Sequence, residues 1–481
     1  MNVRILTGTL GFLCASAWSL NKNQSVEFLQ DLNRNASTDA DAAFHNPAGL
    51  AFLPADGLYL GGGNQIILED RSIQENSPLL QAYGPSKYDG NIGVWAFPTI
   101  QAVYHKSDLS IFAHGGPLGG GGKGTFDQGL PQFDNMILMF ANKVGSNVKS
   151  AVDQGYQQAF GDTGMHVTDG SSPQLVYKRN LSFTGDEFTY GGTFGAAYRI
   201  LPTLSASAAY RFSYARNAYK GTAKIAPGQL GVVYQGSKGA PALGVSGASV
   251  DDTITAKANQ AISAIWKDVD VDVVSTGVAH SVVRGLDFKP DDIWNIGVRF
   301  EWNGDLVLEN KTSALVAPDG LVPYLSAYAD GAKTNITEPM ILAGGVSWKG
   351  VQNLTLESSW TYGFYKNVDR GGLEAYYHNS IFGGLGARYK VTKDLETSLG
   401  YAYDWAYKDD AARTETDFDM PTHFLSAGLS YQATPRLKID GGVMVGISPD
   451  QHGTSAASGA PQTMSQNLWD FGLGLEWTPE L

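Results

Sequence analysis

Apolar and polar residues alternate along much of the chain in short runs, and this period of two predicts β-strands. The pattern is clearest near the C-terminus. In the run 395–407, leucine, threonine, tyrosine and tryptophan occupy every second position, while small or acidic residues stand between them. The runs 437–447 and 468–477 have the same two faces. Each strand is therefore expected to have one apolar face and one polar, glycine-rich face.

The runs come in pairs joined by a polar turn of a few residues. Six pairs can be read, over residues 100–113, 190–214, 293–315, 341–364, 381–407 and 424–447. The short turn of the third pair is expected at Asn303-Gly304-Asp305. A first strand from 56 to about 69 and a last one at 468–477 bring the expected total to 14. The longest connections are expected at about 117–181 and 225–290.

An aromatic residue ends each strand that runs towards the short turns. These residues are Tyr104, Tyr198, Trp302, Trp348, Tyr389, Tyr431 and Trp477. Aligned, they form one ring at one level, as in the aromatic girdle at a membrane–water interface, whereas a soluble sandwich would scatter its aromatics through the core. The pattern predicts an all-β fold, a 14-stranded antiparallel transmembrane β-barrel with short turns at one end and long loops at the other.

The first 17 residues read as a signal peptide for export. Arg4 supplies the positive charge, residues 5–13 a short apolar core, and Ala15-Ser16-Ala17 a cleavage site. The only cysteine, Cys14, lies within this signal. The exported chain is therefore expected to have neither a disulfide nor a thiolate metal site.

Composition agrees with an exported barrel. The chain has 58 glycines, 23 tyrosines and 10 tryptophans but only 17% charged residues, and its net charge of −13 argues against a nucleic-acid partner. The glycine-rich run 119–125 lacks the Lys-Ser/Thr ending of a phosphate loop. Residues 268–272 lack the glycine and glutamate of a calcium loop. No cofactor and no metal ion are expected.

The N-terminal sequence resembles that of a known family. Residues 20–26, LNKNQSV, and 39–50, DADAAFHNPAGL, are similar to the start of the FadL family of outer-membrane transporters for long-chain fatty acids and other hydrophobic compounds. The resemblance implies that residues 18–55 form a hatch inside a barrel built from residues 56–481. It also implies that Asn46, Pro47 and Ala48 help to hold the hatch. Independently, Asn can bond nearby backbone in a turn and Pro fixes φ.

A second family feature is a kink in the third strand that opens the barrel wall sideways. Here that strand meets Gly115, Gly116 and Pro117. Because glycine weakens strand pairing and proline cannot donate to a ladder, a local break is expected. Two interpretations remain open at this stage: either the strand is kinked, or it ends there and the loop begins.

The two long loops have apolar residues every fourth position, which predicts amphipathic helices. The first loop has Met136, Phe140, Val144 and Val148, and the second has Ile254, Ile262 and Trp266. These ridges either form a groove that captures a hydrophobic ligand, or pack only on each other and cap the barrel. A fatty-acid carboxylate would need a cation, for which Lys143, Lys149, Lys257, Lys267 and Arg284 are candidates.

The last strand carries a pattern like the C-terminal signal that barrel-insertion machinery recognises. It comprises Asp470, Gly472, Leu475 and Trp477. The sequence thus predicts a monomeric, non-enzymatic channel of the bacterial outer membrane. Its expected partners are a long-chain fatty acid or other hydrophobic small molecule, membrane lipid and lipopolysaccharide, and the insertion machinery. The alternatives are an outer-membrane lipase or phospholipase, whose histidines would have to form a triad, and an adhesin or structural barrel.

Overall fold

The architecture is a closed antiparallel barrel of 14 strands. The computed structural model describes residues 23–84, 86–139, 141–143, 147, 150, 174–224, 230–233, 246–369, 374–405, 408–409, 413–415, 419–455 and 458–480. The strands are β1 Gly57–Glu75, β2 Lys87–Lys106, β3 Leu109–Phe126, β4 Leu181–Leu201, β5 Leu204–Ala223, β6 Val269–Phe288, β7 Trp294–Asn303 with Val307–Val316, β8 Lys333–Asn335 with Ile341–Val351, β9 Leu354–Gly363, β10 Ser380–Lys390, β11 Leu395–Asp404, β12 Thr422–Thr434, β13 Leu437–Ile447 with Gln451–Thr454, and β14 Pro461–Trp477.

The first and last strands close the barrel. The β1–β14 ladder runs without interruption from the pair Leu60–Trp477 to the pair Glu75–Gln462. Closure leaves no free strand edge at this seam, as a membrane-spanning sheet requires.

The helical elements are short and lie inside the barrel or at its long-loop end. They are α1 Val26–Asp31, α2 Ala42–His45, α3 Pro78–Gln81, α4 over residues 131–139, α5 Gly247–Ile265, and the 3-10 helices Pro47–Phe52, Val322–Tyr328, Tyr365–Asn367 and Glu374–Tyr376. None of the helices in the described part of the chain has both the length and the apolarity needed to cross a membrane. A separate two-stranded ribbon pairs Gln174–Tyr177 with Leu230–Val233.

The third predicted strand pair is wrong. Residues 294–316 take the place of a single strand in the barrel, because both segments of β7 pair with the same neighbour, β6. Asn303-Gly304-Asp305 has the composition of a hairpin turn. In the barrel it is only a break within β7, and Gly304 N–H donates to the His280 carbonyl of β6 at 2.9 Å.

The predicted loop at 225–290 is also wrong over its second half, where the chain forms β6. Val269, Val271 and Val273 are buried and the acidic residues between them point outwards. In this run the apolar residues face inwards and the polar residues face outwards, which is the opposite of the arrangement on the lipid-facing strands. The sequence pattern therefore did not identify the acidic run as a strand. The predicted count of 14 is confirmed because the missed β6 compensates for the strand counted twice.

Two further details differ from prediction, the end of β3 and one member of the aromatic ring at the short-turn end. Strand β3 continues to Phe126, so the loop predicted from residue 117 begins ten residues later, at about 127. Trp302 does not belong to the ring at the short-turn end, because β7 runs away from that end. Trp294 takes its place, paired in register with Trp348, and the two ring centroids are 6.3 Å apart.

The outer surface of the barrel is apolar where the strands cross the membrane. On β14 the outward side chains of Trp469, Phe471, Leu473, Leu475 and Trp477 are 44–65% exposed, whereas Asp470 is fully buried on the inner face. On β14, Trp477 lies at the short-turn end of this apolar face and Trp469 lies at the other end, as at the two interfaces of a bilayer. The barrel is therefore a transmembrane one.

Candidate functional site

The N-terminal segment, residues 23–53, lies inside the barrel and is almost wholly buried. Helix α1 packs against strands β11–β14. Five inward-facing glycines make room for it: Gly386, Gly400, Gly428, Gly442 and Gly472. A Cβ at Gly400 would lie 2.3 Å from the Asp31 carbonyl oxygen. Sequence reasoning assigned Gly400, Gly442 and Gly472 only to a polar face and did not single out Gly386 or Gly428; alternation with lipid-facing residues was the available signal.

Asn46, Pro47 and Ala48 hold the next part of the segment against the opposite wall. The Asn46 side-chain amide donates to the Ser37 carbonyl at 3.0 Å and to the Asp287 carboxylate on β6. Pro47 begins the 3-10 helix. The Ala48 carbonyl accepts a 2.6 Å hydrogen bond from Ser205 on β5. The motif thus connects two parts of the segment to β5 and β6.

The wall residues that face Asn46 form hydrogen bonds with the segment and leave space for it. Asp287 also accepts from the Asn295 amide of β7 at 2.9 Å, and the same amide donates to the Ala36 carbonyl at 3.0 Å. Gly297 on β7 leaves room for the segment: a Cβ there would lie 2.3 Å from the Asn35 carbonyl oxygen and 2.9 Å from the Asn46 side chain.

Phe44, in α2, is enclosed by two arginines of the wall. The guanidinium carbons of Arg211 and Arg299 lie 4.6 and 5.1 Å from the centroid of its ring, within the range of cation–π attraction. Arg299 also donates to the Phe44 carbonyl. Both arginines contact Glu301, at 2.6 Å for Arg211 and 3.1 Å for Arg299. All of these side chains are buried, so the cluster anchors α2 firmly.

The lumen on the short-turn side of the segment is polar and charged. Arg34 donates to Asp41 at 2.6 Å and to Asp39 at 2.8 Å. Arg388 pairs with Asp31 and, at 2.8 Å, with Glu357. A cavity opens here, lined by Asp39, Glu357, Arg388 and by lysines near the turns. Polar and charged groups make up most of the surface that this cavity offers to a hydrophobic molecule.

An apolar cluster lies in the lumen on the other side of α1. Phe28, Leu29 and Leu32 of the segment cluster with inward residues of the wall. Two of these wall residues, Val94 and Phe97, belong to β2 and are 5% and 4% exposed. The cluster therefore brings apolar surface up to the part of the wall where β2 meets β3.

The wall between β2 and β3 is not continuous. Their ladder pairs Ile100 with Gly115 and resumes only at Gly93 with Lys123. Residues 94–99 and 116–122 are therefore unpaired across this line, which we call the wall gap. Gly122, with φ +69°, adopts a backbone conformation that favours glycine. The structure thus places Gly115 at the edge of the gap nearer the short turns, which we call the lower edge. Gly116 and Pro117 lie within the gap, and β3 continues beyond them as a distorted strand.

The long-loop end contains a small apolar cleft, which we call the mouth cleft. It is lined by residues of α4, the 3-10 helix Val322–Tyr328 and the ends of β4, β5 and β6: Phe133, Met136, Ile137, Leu181, Ser182, Phe183, Gly221, Thr222, Ala223, Val269, Val271, Leu325 and Tyr328. None of the residues lining the mouth cleft is charged.

The predicted groove residues are only partly described. Met136 lines the mouth cleft, and Ile262 and Trp266, each 4% exposed, join the same apolar cluster without lining the cleft. Phe140, Val144 and Val148 lie outside the described residues, as does the side chain of Ile254.

The candidate cations that the structure describes do not converge on the cleft. Arg284 lies on the outer face of β6. Lys143 and Lys257 are exposed, and Lys267 lies 3.9 Å from Asp319 with both side chains exposed. Lys149 lies outside the described residues.

Three carboxylates hold the first turn of α4 over the mouth. Glu415 accepts from the Gln132 N–H at 2.8 Å and from Gln462 at 2.9 Å. Glu75 accepts from Asn135 at 2.7 Å. Burial, and next the Glu75 carboxylate, raise the pKa of Glu415 from 4.5 to about 8.

The third carboxylate, Asp134, belongs to α4 itself. It accepts hydrogen bonds from Tyr88 at 2.6 Å and Tyr177 at 2.7 Å, and Arg179 lies 2.5 Å away. Burial raises its pKa in spite of the arginine. Together with Glu415 and Glu75 it forms what we call the mouth latch.

The residues of the predicted insertion signal divide between the two faces of β14. Leu475 and Trp477 face outwards and are 52% and 48% exposed. Asp470 faces inwards and accepts a 2.7 Å hydrogen bond from Asn23. Gly472 faces α1. Asp470 and Gly472 thus contribute to packing of the N-terminal segment, a role that the sequence pattern did not indicate.

Comparison with known proteins finds similarity in structure alone. No protein-family model and no curated protein matches the sequence. A FadL homologue of Pseudomonas aeruginosa superposes with a TM-score of 0.60 over 94% of this chain and 98% of its own, at 14% identity. The toluene transporter TodX of P. putida gives 0.56 over 92% and 95%, at 11% identity. The toluene transporter TbuX of Ralstonia pickettii gives 0.50 over 91% and 94%, at 13% identity.

At these identities the comparison concerns architecture, and it covers nearly the whole of each chain. The number of strands and the apolar outer belt agree with it, and such barrels lie in the outer membrane. The chain is an outer-membrane β-barrel with the fold of the FadL-type transporters.

Proposed function

We propose that this protein is a passive channel through which hydrophobic compounds enter the outer membrane. The cargo binds in the mouth cleft, moves to the apolar lumen cluster around Phe28 and leaves sideways through the wall gap. The observation that carries the proposal is the contact between that cluster and the gap, made by Val94 and Phe97.

The charges of the lumen favour sideways release. A hydrophobic molecule that continued past α1 would enter the cavity lined by Arg388, Glu357, Asp39 and other charged groups. Leaving apolar contacts for water and buried charge is unfavourable. Passage through the wall keeps the molecule among apolar groups until it reaches lipid.

In this proposal residues 23–53 act as the hatch that closes the direct route. Asn46, Pro47 and Ala48 hold it to β5 and β6, and the Phe44 cluster holds it to β5 and β7. The hatch need not leave the barrel, because the gap lies to one side of it.

The mouth cleft supports a broad cargo class. Its lining is apolar and uncharged, which suits hydrocarbons as well as the chain of a fatty acid. TodX and TbuX are toluene transporters by name, so toluene is a suitable first cargo for testing, with oleate as a long-chain fatty acid.

The described residues give the enzyme alternative little support. A lipase of the barrel type needs Ser and His on its lipid face, but the contacts of Ser25 with His45 (3.4 Å) and Ser110 with His105 (2.8 Å) are buried inside the barrel. Asp41 contacts Ser25 itself, so it does not orient the histidine as a triad requires. An adhesin would leave the hatch and the wall gap without a role.

Uptake by whole cells tests the proposal. Cells that carry the full chain in their outer membrane should accumulate radiolabelled toluene or oleate faster than cells that carry an unrelated barrel. If the two kinds of cell take up toluene at the same rate, and oleate at the same rate, the proposed function is overturned. Hydrolysis of an ester or phospholipid by the pure protein would instead favour the enzyme.

A disulfide across the gap tests the route. The Cβ of a residue at position 122 would lie 3.5 Å from the Cβ of Val94, a distance suited to a disulfide. The double variant V94C/G122C should lose uptake when oxidised and recover it with reductant, while each single variant should not respond. Full uptake by the oxidised protein would exclude exit through the wall gap.

A further inference from the structure

One aromatic side chain stands on the lipid side of the wall gap. Trp95 is 73% exposed, more than any other large apolar side chain that the structure describes. It belongs to the stretch 94–99 of β2, which is not paired with β3. Its neighbours Val94 and Phe97 point into the lumen cluster, so the same short stretch presents apolar groups to both sides of the wall.

A β-bulge places Trp95 there. The β1–β2 ladder pairs Gln65 with Phe97 and then Ile67 with Val94, so Trp95 and Ala96 together oppose Ile66. A bulge inserts an extra residue and redirects the side chains beside it. Both Trp95 and Ala96 consequently point outwards. The gap is thus built from irregularities in two strands, the bulge of β2 and the glycine-rich distortion of β3.

The indole lies at the upper edge of the gap. A Cβ at Gly93 would lie 3.4 Å from the indole nitrogen of Trp95, and Gly93 forms the first pair above the gap, with Lys123. At the lower edge, Ile100 is 66% exposed and pairs with Gly115. On the lipid side, the lower edge of the gap therefore presents Ile100, and the upper edge presents Trp95 next to the exposed Lys123.

The unpaired backbone between these edges is the polar obstacle on the path. Backbone N–H and C=O groups without ladder partners are costly to approach for an apolar molecule in lipid. A flat aromatic ring beside them gives the molecule an apolar surface on which to leave the lumen, and ring contacts stabilise other rings and alkyl chains.

We propose that Trp95 is the exit residue of the channel, a side chain that contacts the cargo as it passes from the lumen cluster into lipid. This inference rests on the proposed function and adds to it a specific residue on the outer surface. It also assigns the bulge of β2 a role in transport equal to that of the distorted β3.

Trp469 provides a matched control. It is an outward tryptophan, 48% exposed, on β14. Leu68 of β1 pairs with Trp469 on one side and with Gly93 on the other, so Trp469 lies close to the level of Trp95 in the membrane. The ladders on both sides of Trp469 are continuous. The two tryptophans therefore share the environment of an interfacial girdle, and only Trp95 borders the gap.

The experiment compares uptake of radiolabelled toluene by cells that carry the wild-type chain, W95A, W95F or W469A, at equal amounts of heat-modifiable folded barrel. W95A should lower the rate about fivefold, the effect of losing one aromatic contact of ordinary strength. W95F should retain most of the rate, and W469A should match the wild type. Equal rates in W95A and W469A would overturn the inference and leave the proposed function standing.

A second measurement does not depend on the rate. Bromine quenches indole fluorescence at short range, so 4-bromotoluene added to the pure wild-type protein in detergent should quench part of its emission. W95F should lose more of this quenching than W469F does. Equal losses would overturn the inference. Wild-type cells that take up toluene no faster than cells with an unrelated barrel would overturn the proposed function, and the role of Trp95 with it.

Discussion

At the scale of single residues, the N-terminal segment 23–53 is packed closely against the barrel wall. Asn46 occupies space that exists only because residue 297 lacks a side chain. The G297A variant should therefore displace the hatch and lower the stability of the protein by about 1–3 kcal/mol, the usual effect of overpacking. Thermal unfolding of the pure barrel in detergent measures this.

G441A is the control for that variant. A Cβ at Gly441 would meet only the Gly472 carbonyl oxygen, at 4.0 Å, so this substitution should leave the unfolding temperature unchanged. A G297A protein as stable as G441A, with full uptake, would show that Asn46 does not need the close contact with β7.

Glu301 is a second residue whose contribution to stability depends on its buried position. It is the carboxylate that Arg211 and Arg299 share, and all three side chains are at most 4% exposed. E301Q should cost about 3–5 kcal/mol, because it leaves two buried guanidiniums beside Phe44 without a charged partner. Chemical unfolding followed by tryptophan fluorescence would measure the loss.

The control lies on the same strand. Glu309 pairs with Lys333 at 3.3 Å, with both side chains more than half exposed, so E309Q should change stability by less than about 1 kcal/mol. Similar losses in the two variants would mean that burial of the Glu301 cluster does not determine its contribution.

At the scale of elements, the mouth latch should respond to pH. Glu415 has a pKa raised to about 8 when α4 is in place, against 4.5 ordinarily. A group whose pKa is raised in the closed state stabilises that state at low pH, and the stabilisation is lost as pH rises through about 8. Ionised Glu415 would then face Glu75 and Asp134, so α4 should detach at alkaline pH.

Limited proteolysis of α4 between pH 6 and 9.5 would detect this. The wild type should become more sensitive to cleavage as pH rises through this range, whereas E415Q, which cannot ionise, should show a much weaker dependence. Identical profiles for the two proteins would exclude Glu415 as the titrating group. Asp134, whose pKa burial also raises, would then be the next group to test.

At the scale of the whole molecule, assembly depends on the last strand finding the first. Trp477 pairs in register with Leu60 of β1 and Leu437 of β13, and its ring is half exposed at the short-turn end. W477A should reduce the amount of folded barrel in the outer membrane if the C-terminal pattern is the insertion signal. The shift in gel mobility between boiled and unboiled samples measures folded barrel, and W469A is again the control. Equal amounts would show that insertion does not depend on this residue.

The strand count shows how sequence and structure differ at this scale. Alternation predicted a barrel of 14 strands, and the number is confirmed. It was reached with one strand missed, β6, and one counted twice, β7. Local pattern cannot tell a turn from a break within a strand, because Asn303-Gly304-Asp305 suits both. The neighbouring strand decides, since β6 pairs with both halves of β7.

The sequence alone determined the class of fold, because a lipid-facing strand must alternate and its aromatic residues must lie at the interfaces whatever the tertiary structure is. It also indicated the N-terminal segment and the glycines and proline of β3. Only the tertiary structure decided how these parts meet. The glycines that receive α1, the arginines around Phe44 and the bulge that exposes Trp95 depend on contacts between residues far apart in the chain, and a periodic pattern carries no information about such contacts.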